Sequence, residues 1–262
     1  MNKDFFKKGF SLFYSQSVLE RNKKNLANLC TLLGLNGEID FATIETALAE
    51  IFRENPEKYT GLLKAFSNTP DFISYAIDNQ VLGFVRDCGI AFPTLVTPPI
   101  LHVVSDKLII NKNKVFTPPH QDVVSTKGSV GQVVVWIPLH EIVPNNFGIQ
   151  AWPGTHLNGQ LPSEYSDFGH TVKSHLIPNE QPKYISMLNG DICIFSQYLI
   201  HETYKYGKFR MAVSFRFNDA LDKNWAERKY FVPFGRNEDK SEYEDNRHLA
   251  PTDVHDYFTG TD

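Results

Sequence analysis

The residues with the clearest chemical potential lie in the segment 117–122, which reads TPPHQD. In an extended strand, residues i and i+2 point to the same side, so His120 and Asp122 can converge on one metal ion while Gln121 points away. This pattern alone is a weak signal, because the chain contains nine histidines. A firm site needs another ligand, and two histidines with one carboxylate would leave positions open for a co-substrate and oxygen.

A second segment supplies that ligand. GDICIFSQYLIH opens with a Gly-Asp turn and ends at His201, and its β-branched and aromatic residues predict a strand that delivers the histidine at its end. Arg210 opens the next apolar run, RMAVSFRF. The order of these segments therefore predicts a third ligand with a cation nearby.

The part of the chain from about residue 100 to 220 resembles the phytanoyl-CoA dioxygenase-like family of iron(II)/2-oxoglutarate oxygenases. Five segments carry the resemblance: PPHQD (118–122), VVVWIPL (133–139), GIQAWPGTH (148–156), GDICIFSQYLIH (190–201) and RMAVSFRF (210–217). The resemblance implies a double-stranded β-helix of the jelly-roll, cupin-like type. It also implies Fe(II), 2-oxoglutarate and O2 as cofactor and co-substrates, with ascorbate as a supporting reductant.

The same resemblance implies roles for single residues. His120, Asp122 and His201 would be the metal ligands and the catalytic centre, and Arg210 would hold the distal carboxylate of 2-oxoglutarate. A planar guanidinium suits that role, because it can bind a carboxylate through two parallel charge-assisted hydrogen bonds. The further expected contacts to the co-substrate are Thr203, Trp136 and, as a contact to either co-substrate or substrate, His102.

One position departs from the family pattern. Many related enzymes place a serine two residues after the arginine, and here that position is Ala212. Ser214 and Arg216 share the same strand face as Arg210, because they follow at even spacing. Arg216 is therefore an alternative anchor for 2-oxoglutarate, and the sequence leaves the choice open.

The elements that must position these residues divide near residue 97. Before it, apolar residues recur at three- and four-residue intervals and predict helices at about 17–33, 40–53, 56–67 and 70–88. After it, short β-branched and aromatic runs alternate with Pro, Gly and Asn clusters, which predicts antiparallel β-structure of jelly-roll type. We expect a mainly β chain in one integrated domain: a helical N-terminal region at 1–96 packed on the barrel, a catalytic core at 97–220 and a C-terminal extension at 221–262.

Composition narrows the setting. The chain is 42% hydrophobic and 21% charged, which is ordinary for a globular protein, and its net charge of −4 gives no general attraction to nucleic acid or anionic lipid. Three widely spaced cysteines without a CxxC pattern favour a reducing compartment. With neither a membrane-length apolar run nor a signal peptide visible, we expect a cytoplasmic protein with a small-molecule substrate, no nucleic-acid partner and no membrane partner. The sequence leaves the oligomeric state undetermined.

Other polar residues receive structural interpretations. We expect His156 and Asp191 to shape turns and Cys193 to fill the core, and the charged C-terminal stretch to form a solvated face. Four polar residues near the metal motif are expected to line a substrate pocket: Ser125, Thr126, Lys127 and Gln132.

The predicted reaction is hydroxylation of a small polar metabolite or a sugar-linked compound, with release of succinate and CO2. One alternative is a metal-binding jelly-roll isomerase or lyase that uses zinc or manganese without oxygen. Another is a non-catalytic binding module. In the isomerase or lyase Arg210 would lack an explanation, and the intact set of ligands argues against the binding module.

Overall fold

The computed structural model describes residues 1–36, 40–108, 116–166, 169–230 and 251–260. The helices in these ranges are α1 to α9: Lys3–Lys8, Gln16–Leu32, Phe41–Glu54, Pro56–Ser67, Pro70–Ile73, Asn79–Asp87, Val123–Thr126, Lys223–Glu227 and Pro251–Thr259. The strands in these ranges are β1 to β10: Phe10–Tyr14, Pro93–Ser105, Val133–Pro138, Ile149–Ala151, Ser163–Ser166, Gly169–Val172, Lys183–Tyr184, Asp191–Ser196, His201–Thr203 and Phe209–Asp219.

Side-chain caps explain where the N-terminal helices begin. Ser15 caps α2 by accepting from the Val18 amide, and Asp40 caps α3. Asn55 ends α3 and caps α4, whose first residue is Pro56. The first three predicted helices are confirmed to within a residue or two.

The fourth predicted helix, 70–88, is wrong as one continuous element. The chain forms α5 and α6 with a break at 74–78 between them. Asp78 lies at the end of the break and accepts from the amides of Gln80 and Val81, which starts a new helix. An aspartate that competes for backbone amides favours a cap over a helix interior.

The region expected to be helical also contains a strand. After α1 ends at Gly9, which has a φ of +81°, β1 pairs antiparallel with β8 in the register Phe10↔Phe195 to Tyr14↔Asp191. Strand β2 likewise begins at Pro93, before the predicted change at residue 97. The expectation of a purely helical 1–96 is therefore corrected, while the division of the chain at 96 and 220 stays a prediction.

The larger sheet has the strand order β1-β8-β3-β10-β2, and every neighbouring pair is antiparallel. All six residues of β3 are buried, because both of its faces are covered. Val133, Val135 and Ile137 join a core with the N-terminal helices, whereas Val134 and Trp136 join a second core on the opposite face. This explains why the run VVVWIP is apolar without alternation.

The smaller sheet has the order β7-β4-β9 and lies against that second core. Ile149 and Ala151 of β4 pack there with residues of the larger sheet, including Cys193, which is buried as expected. An antiparallel bridge between His120 and His201 attaches the metal motif to the edge of this sheet. Strands β5 and β6 form a separate hairpin. The architecture is thus a helical layer over one face of antiparallel sheets.

Helix α9, near the end of the chain, packs against helix α1. Phe258 of α9 is buried, and its ring lies 6.1 Å from that of Phe5 and 4.6 Å from that of His156. Of the charged stretch 225–245, which was expected to form a solvated face, residues 231–245 lie outside the described residues, and Trp225 at its start is buried. Within the described ranges, none of the helices combines the length and the apolar character needed to cross a bilayer.

Candidate metal centre and co-substrate pocket

Backbone hydrogen bonds hold the two histidines next to each other. The amide of His120 donates to the carbonyl of His201 at 3.0 Å, and the amide of His201 donates back at 3.1 Å. Asp122 follows at the start of α7 with helical dihedral angles, so the motif is not the continuous extended strand that the sequence suggested. Gln121 points away as expected: it is buried and its amide nitrogen donates to the Tyr198 carbonyl at 2.6 Å.

The three side chains converge on one point. One ligand atom from each of His120, Asp122 and His201 lies within 4.8 Å of the other two. Asp122 Oδ1 is 3.4 Å from His120 Nε2 and 3.9 Å from His201 Nε2. Each Nδ1 lies near a backbone carbonyl, 2.9 Å away for His120 and 3.0 Å for His201. Donation from Nδ1–H to these carbonyls leaves both Nε2 lone pairs facing the carboxylate, which is how ligating histidines are oriented.

The charge states also suit a metal. Burial, followed by the nearby His120, lowers the pKa of His201 to about 3, so its imidazole is neutral. Burial acts to raise the pKa of Asp122, but the charge of Arg216 holds it well below its usual range. His201 thus presents a neutral imidazole and Asp122 a carboxylate, both of which belong to the donor set of non-haem Fe(II) sites.

The structure separates the two arginines that the sequence left as alternatives. Arg216 donates from Nε at 2.8 Å and from its terminal nitrogen at 2.6 Å to Asp122 Oδ2. Its guanidinium is therefore committed to the outer oxygen of the metal ligand. Arg210 remains as the cation available to a co-substrate.

Arg210 is buried without a matching acid. Its relative exposure is 6%, and within the described residues it forms no salt bridge. Among the described residues, its terminal nitrogen reaches only the Gly148 carbonyl, at 3.5 Å, and its buried Nε lacks a hydrogen-bond partner. The guanidinium carbon lies 5.8 Å from the Trp136 ring centre, and burial lowers the pKa of Arg210 to about 10. A buried, unpaired guanidinium is a binding site for an anion such as a carboxylate.

One cavity of about 450 Å³ joins these groups. Every residue that the sequence assigned to the site lines it: His120, Asp122, His201, Arg210, Thr203, Trp136 and His102. Thr203 is 4% exposed, and His102 Nε2 lies 2.7 Å from the Ser214 hydroxyl. Ser214, which follows Ala212 two residues later on β10, thus places at the cavity the hydroxyl that Ala212 lacks.

Two of the four residues that were expected to line the substrate pocket do so. Ser125 and Thr126 line the cavity, whereas Lys127 and Gln132 are not among its lining residues. Gln132 instead donates to Asn218 Oδ1 at 2.6 Å, and we call these two side chains the buried amide pair. Gly128 lies directly against this pair, so that a β-carbon at that position would collide with both side chains.

Some contributors to the cavity were missed. His170 reaches it from β6, and Phe195 reaches it from β8. His170 gave no signal in the sequence, because a hairpin histidine has neither a motif nor a fixed distance from the ligands. Phe195 could have been found, since it precedes His201 on the segment that carries the ligand.

Two further residues have structural roles, as expected. His156 Nε2 lies 3.0 Å from the Phe6 carbonyl and is fully buried, and it is not among the lining residues of the cavity. Asp191 accepts from the Leu188 amide at 2.7 Å and so closes the turn before β8.

A centre of two histidines and one carboxylate beside a buried arginine, set on antiparallel sheets, defines the class of non-haem iron, 2-oxoglutarate-dependent oxygenases. Residues 86–211 match the model of the phytanoyl-CoA dioxygenase (PhyH) family, so this part of the chain is phytanoyl-CoA dioxygenase-like. The matched span contains the three ligands and ends directly after Arg210, so Arg216 lies beyond it. None of the curated proteins compared with the chain matches it.

Solved structures share the fold at low identity. The apo structure of the non-heme monooxygenase ThoJ has a TM-score of 0.59 and 15% identity, covering 83% of this chain and 76% of ThoJ. EctD from S. alaskensis, solved with 2-oxoglutarate and 5-hydroxyectoine, has a TM-score of 0.53 and 14% identity, covering 84% of this chain and 75% of EctD. EvdO2 from Micromonospora carbonacea var. aurantiaca, complexed with 2-oxoglutarate, has a TM-score of 0.50 and 15% identity, covering 83% of this chain and 89% of EvdO2.

Proposed function

We propose that this protein is an Fe(II)/2-oxoglutarate-dependent dioxygenase that hydroxylates a small polar metabolite or a sugar-linked compound and releases succinate and CO2. The observation that carries the proposal is the unpaired guanidinium of Arg210, buried in the same cavity as His120, Asp122 and His201. The three ligands alone would suit several metals and reactions. A buried cation beside them needs an anion, and 2-oxoglutarate brings a carboxylate.

Each side chain has a defined task in this proposal. His120 and His201 hold the iron through Nε2 while their Nδ1 groups stay fixed to backbone carbonyls. Asp122 offers Oδ1, and Arg210 holds the distal carboxylate of 2-oxoglutarate with Trp136 beneath its guanidinium. When bound, iron and 2-oxoglutarate supply the oxidising power that attacks the substrate. The protein orients the reactants and limits access of water.

The arrangement of strands supports a finer description of the fold. The larger sheet and β7-β4-β9 contribute side chains to one shared core, and the His120 bridge extends the smaller sheet. We propose that these two sheets form the double-stranded β-helix expected from the resemblance. The unpaired cysteines support the expected cytoplasmic location.

Polar side chains around the cavity support a substrate that carries hydroxyl groups. Thr97, Ser125 and Ser214 line it beside the metal ligands. These hydroxyls can both donate and accept, which suits a sugar or a polyol. EctD, which shares the fold, was solved with the small polar molecule 5-hydroxyectoine.

The test is 2-oxoglutarate turnover by protein that has been loaded anaerobically with Fe(II). Succinate formation on exposure to O2, dependent on both Fe(II) and 2-oxoglutarate and abolished in His120→Ala, is the expected result. Tight zinc binding without succinate formation would instead support the oxygen-independent isomerase or lyase. If Fe(II) and 2-oxoglutarate together left the thermal midpoint unchanged, a non-catalytic binding module would be the better explanation.

A further inference from the structure

A second cavity, which we call the side groove, lies beside the metal cavity between helices α3 and α4 and strand β2. Its volume is about 1080 Å³. Phe52, Tyr59 and Leu63 line it from the helices, and Leu101 and Val103 line it from the strand. It therefore has an apolar lining on both sides.

The side groove adjoins the metal cavity. The residues that line both are Pro98, Ile100, His102, Thr117 and Arg210. Strand β2, which is the edge strand of its sheet, thus contributes residues to both cavities. A ligand that lies over these shared residues would contact both cavities.

The lining of the groove presents apolar surface to open space. Ile100 is 40% exposed, and Leu63 and Val103 are half-buried although both pack against the main core. Burial raises the pKa of Tyr59 to about 12. Acidic residues are missing from the described lining, where Lys64 and Arg210 carry the charge. An open apolar surface of this kind gains free energy when a hydrocarbon or aromatic group covers it.

We propose that the side groove binds an extended apolar portion of the substrate while the metal cavity receives the group that is oxidised. The inference rests on the proposed oxygenase function and sharpens it. It favours a sugar-linked compound with a hydrocarbon or aromatic aglycone over a small, wholly polar metabolite. Ile100 and His102, which touch both cavities, mark the junction between the two parts of the ligand.

The test uses n-alkyl β-D-glucosides from methyl to octyl as probes, kept below their micelle-forming concentrations. Their binding to anaerobic protein loaded with Fe(II) and 2-oxoglutarate is measured by calorimetry. Each methylene that enters the groove should tighten binding about fourfold, so octyl should bind at least roughly 100-fold tighter than methyl. An affinity independent of chain length, or no binding of the octyl compound, would overturn the proposal.

A groove-filling variant separates specific binding from general stickiness. Leu63→Trp should weaken octyl glucoside binding by roughly tenfold or more, because the indole occupies space that the alkyl chain would use. Leu32→Trp is the matched control, since Leu32 is 51% exposed on α2 and outside the groove. Equal octyl affinity in both variants would refute the assignment. Binding of 2-oxoglutarate should be the same in the wild type and in both variants. If the wild type did not bind 2-oxoglutarate, the proposed co-substrate site would be wrong, whatever the result for the side groove.

A second inference concerns Arg216, which lies beyond the matched family span and makes two short hydrogen bonds to Asp122 Oδ2. We infer that Arg216 is a positioning residue that holds the Asp122 carboxylate so that its Oδ1 faces the two imidazoles of the candidate metal site. Both guanidinium donors engage Oδ2, which leaves Oδ1 facing the imidazoles, 3.4 Å from His120 Nε2 and 3.9 Å from His201 Nε2. Oδ1 is thereby placed to bind a metal that the two histidines would hold.

Metal affinity tests this role without catalysis. Arg216→Gln should weaken binding of Co(II), measured by calorimetry, roughly 10- to 100-fold, and Arg216→Lys should restore part of the loss. Arg21→Gln is the control, because it removes another partly buried ion pair, 2.9 Å from Asp78, away from the metal. Unchanged Co(II) affinity in Arg216→Gln would overturn the inference. A selective loss of 2-oxoglutarate affinity at saturating metal would identify Arg216 as the co-substrate anchor, which also overturns it.

Discussion

Replacing Arg210 with methionine should have opposite effects on the protein with and without 2-oxoglutarate. The guanidinium is 6% exposed, its Nε has no hydrogen-bond partner, and its terminal nitrogen makes one contact at 3.5 Å. The free protein thus bears the desolvation of a buried charge that no described acid compensates. Methionine has similar length and packs well against aromatic rings such as that of Trp136.

The two magnitudes follow from these contacts. Removing the unpaired charge should stabilise the free protein by about 1–2 kcal/mol, or roughly 2–8 °C in the thermal midpoint of a chain of this size. Losing two charge-assisted hydrogen bonds to a carboxylate should cost at least about 3 kcal/mol of binding free energy. That corresponds to a weakening of 2-oxoglutarate binding by roughly 100-fold.

Thermal unfolding of the Co(II)-loaded protein, with and without 2-oxoglutarate, measures both effects in one experiment. At a ligand concentration of 100 Kd, the wild type should gain about 2.7 kcal/mol, whereas Arg210→Met should gain almost none at the same concentration. The order of stability should therefore reverse when 2-oxoglutarate is added. A variant that is less stable than the wild type without 2-oxoglutarate, and that keeps the full ligand-induced shift, would refute the reasoning.

Three further predictions concern stability. Gly128→Ala should destabilise the protein by about 1–3 kcal/mol, because its β-carbon would collide with the buried amide pair. Gly61→Ala in α4 should instead stabilise the protein by about 0.5–1 kcal/mol, because there is open space around Gly61. Burial acts to raise the pKa of Asp78, but its hydrogen bonds hold that pKa below 3.8. The charge of Asp78 therefore stabilises the fold above pH 3.8. This contribution is lost as the pH falls through the pKa of the folded state. Asp78→Asn should therefore be destabilised at pH 7 by about 1 kcal/mol and should converge with the wild type in acid. Phe258→Ala should cost about 3 kcal/mol, against less than about 0.5 kcal/mol for Leu221→Ala, which removes a 67% exposed side chain.

Chemical denaturation at constant temperature checks all three. The slope of the transition should be unchanged, so that midpoint differences report stability alone. Equal midpoints for Gly128→Ala and Gly61→Ala would contradict the steric argument. A difference between Asp78→Asn and wild type that persists at pH 2 would show that the lost charge is not the cause. A negligible effect of Phe258→Ala would mean that α9 does not dock as described.

The residues of the candidate site could be predicted from the sequence. His120 and Asp122 stand in one motif, His201 ends a recognisable strand, and the order of segments relates them to Arg210. Each motif is a local signal, because its own residues lie within a few positions of one another. The same holds for the starts of α2, α3 and α4, where a capping side chain precedes an apolar repeat.

Tertiary structure decided what local signals could not separate. Arg210 and Arg216 share a strand face and a charge, and only the placement of Asp122 at the start of α7 shows that Arg216 is committed to the ligand. Strand β1 was missed because five residues beside a helix carry too short a pattern, and its pairing with β8 joins distant parts of the chain. The side groove exists only where α3 and α4 meet the edge of β2. Cavities and the choice of ion-pair partner depend on packing between segments that are far apart in the sequence. The residue types and spacing within one segment do not reveal that packing.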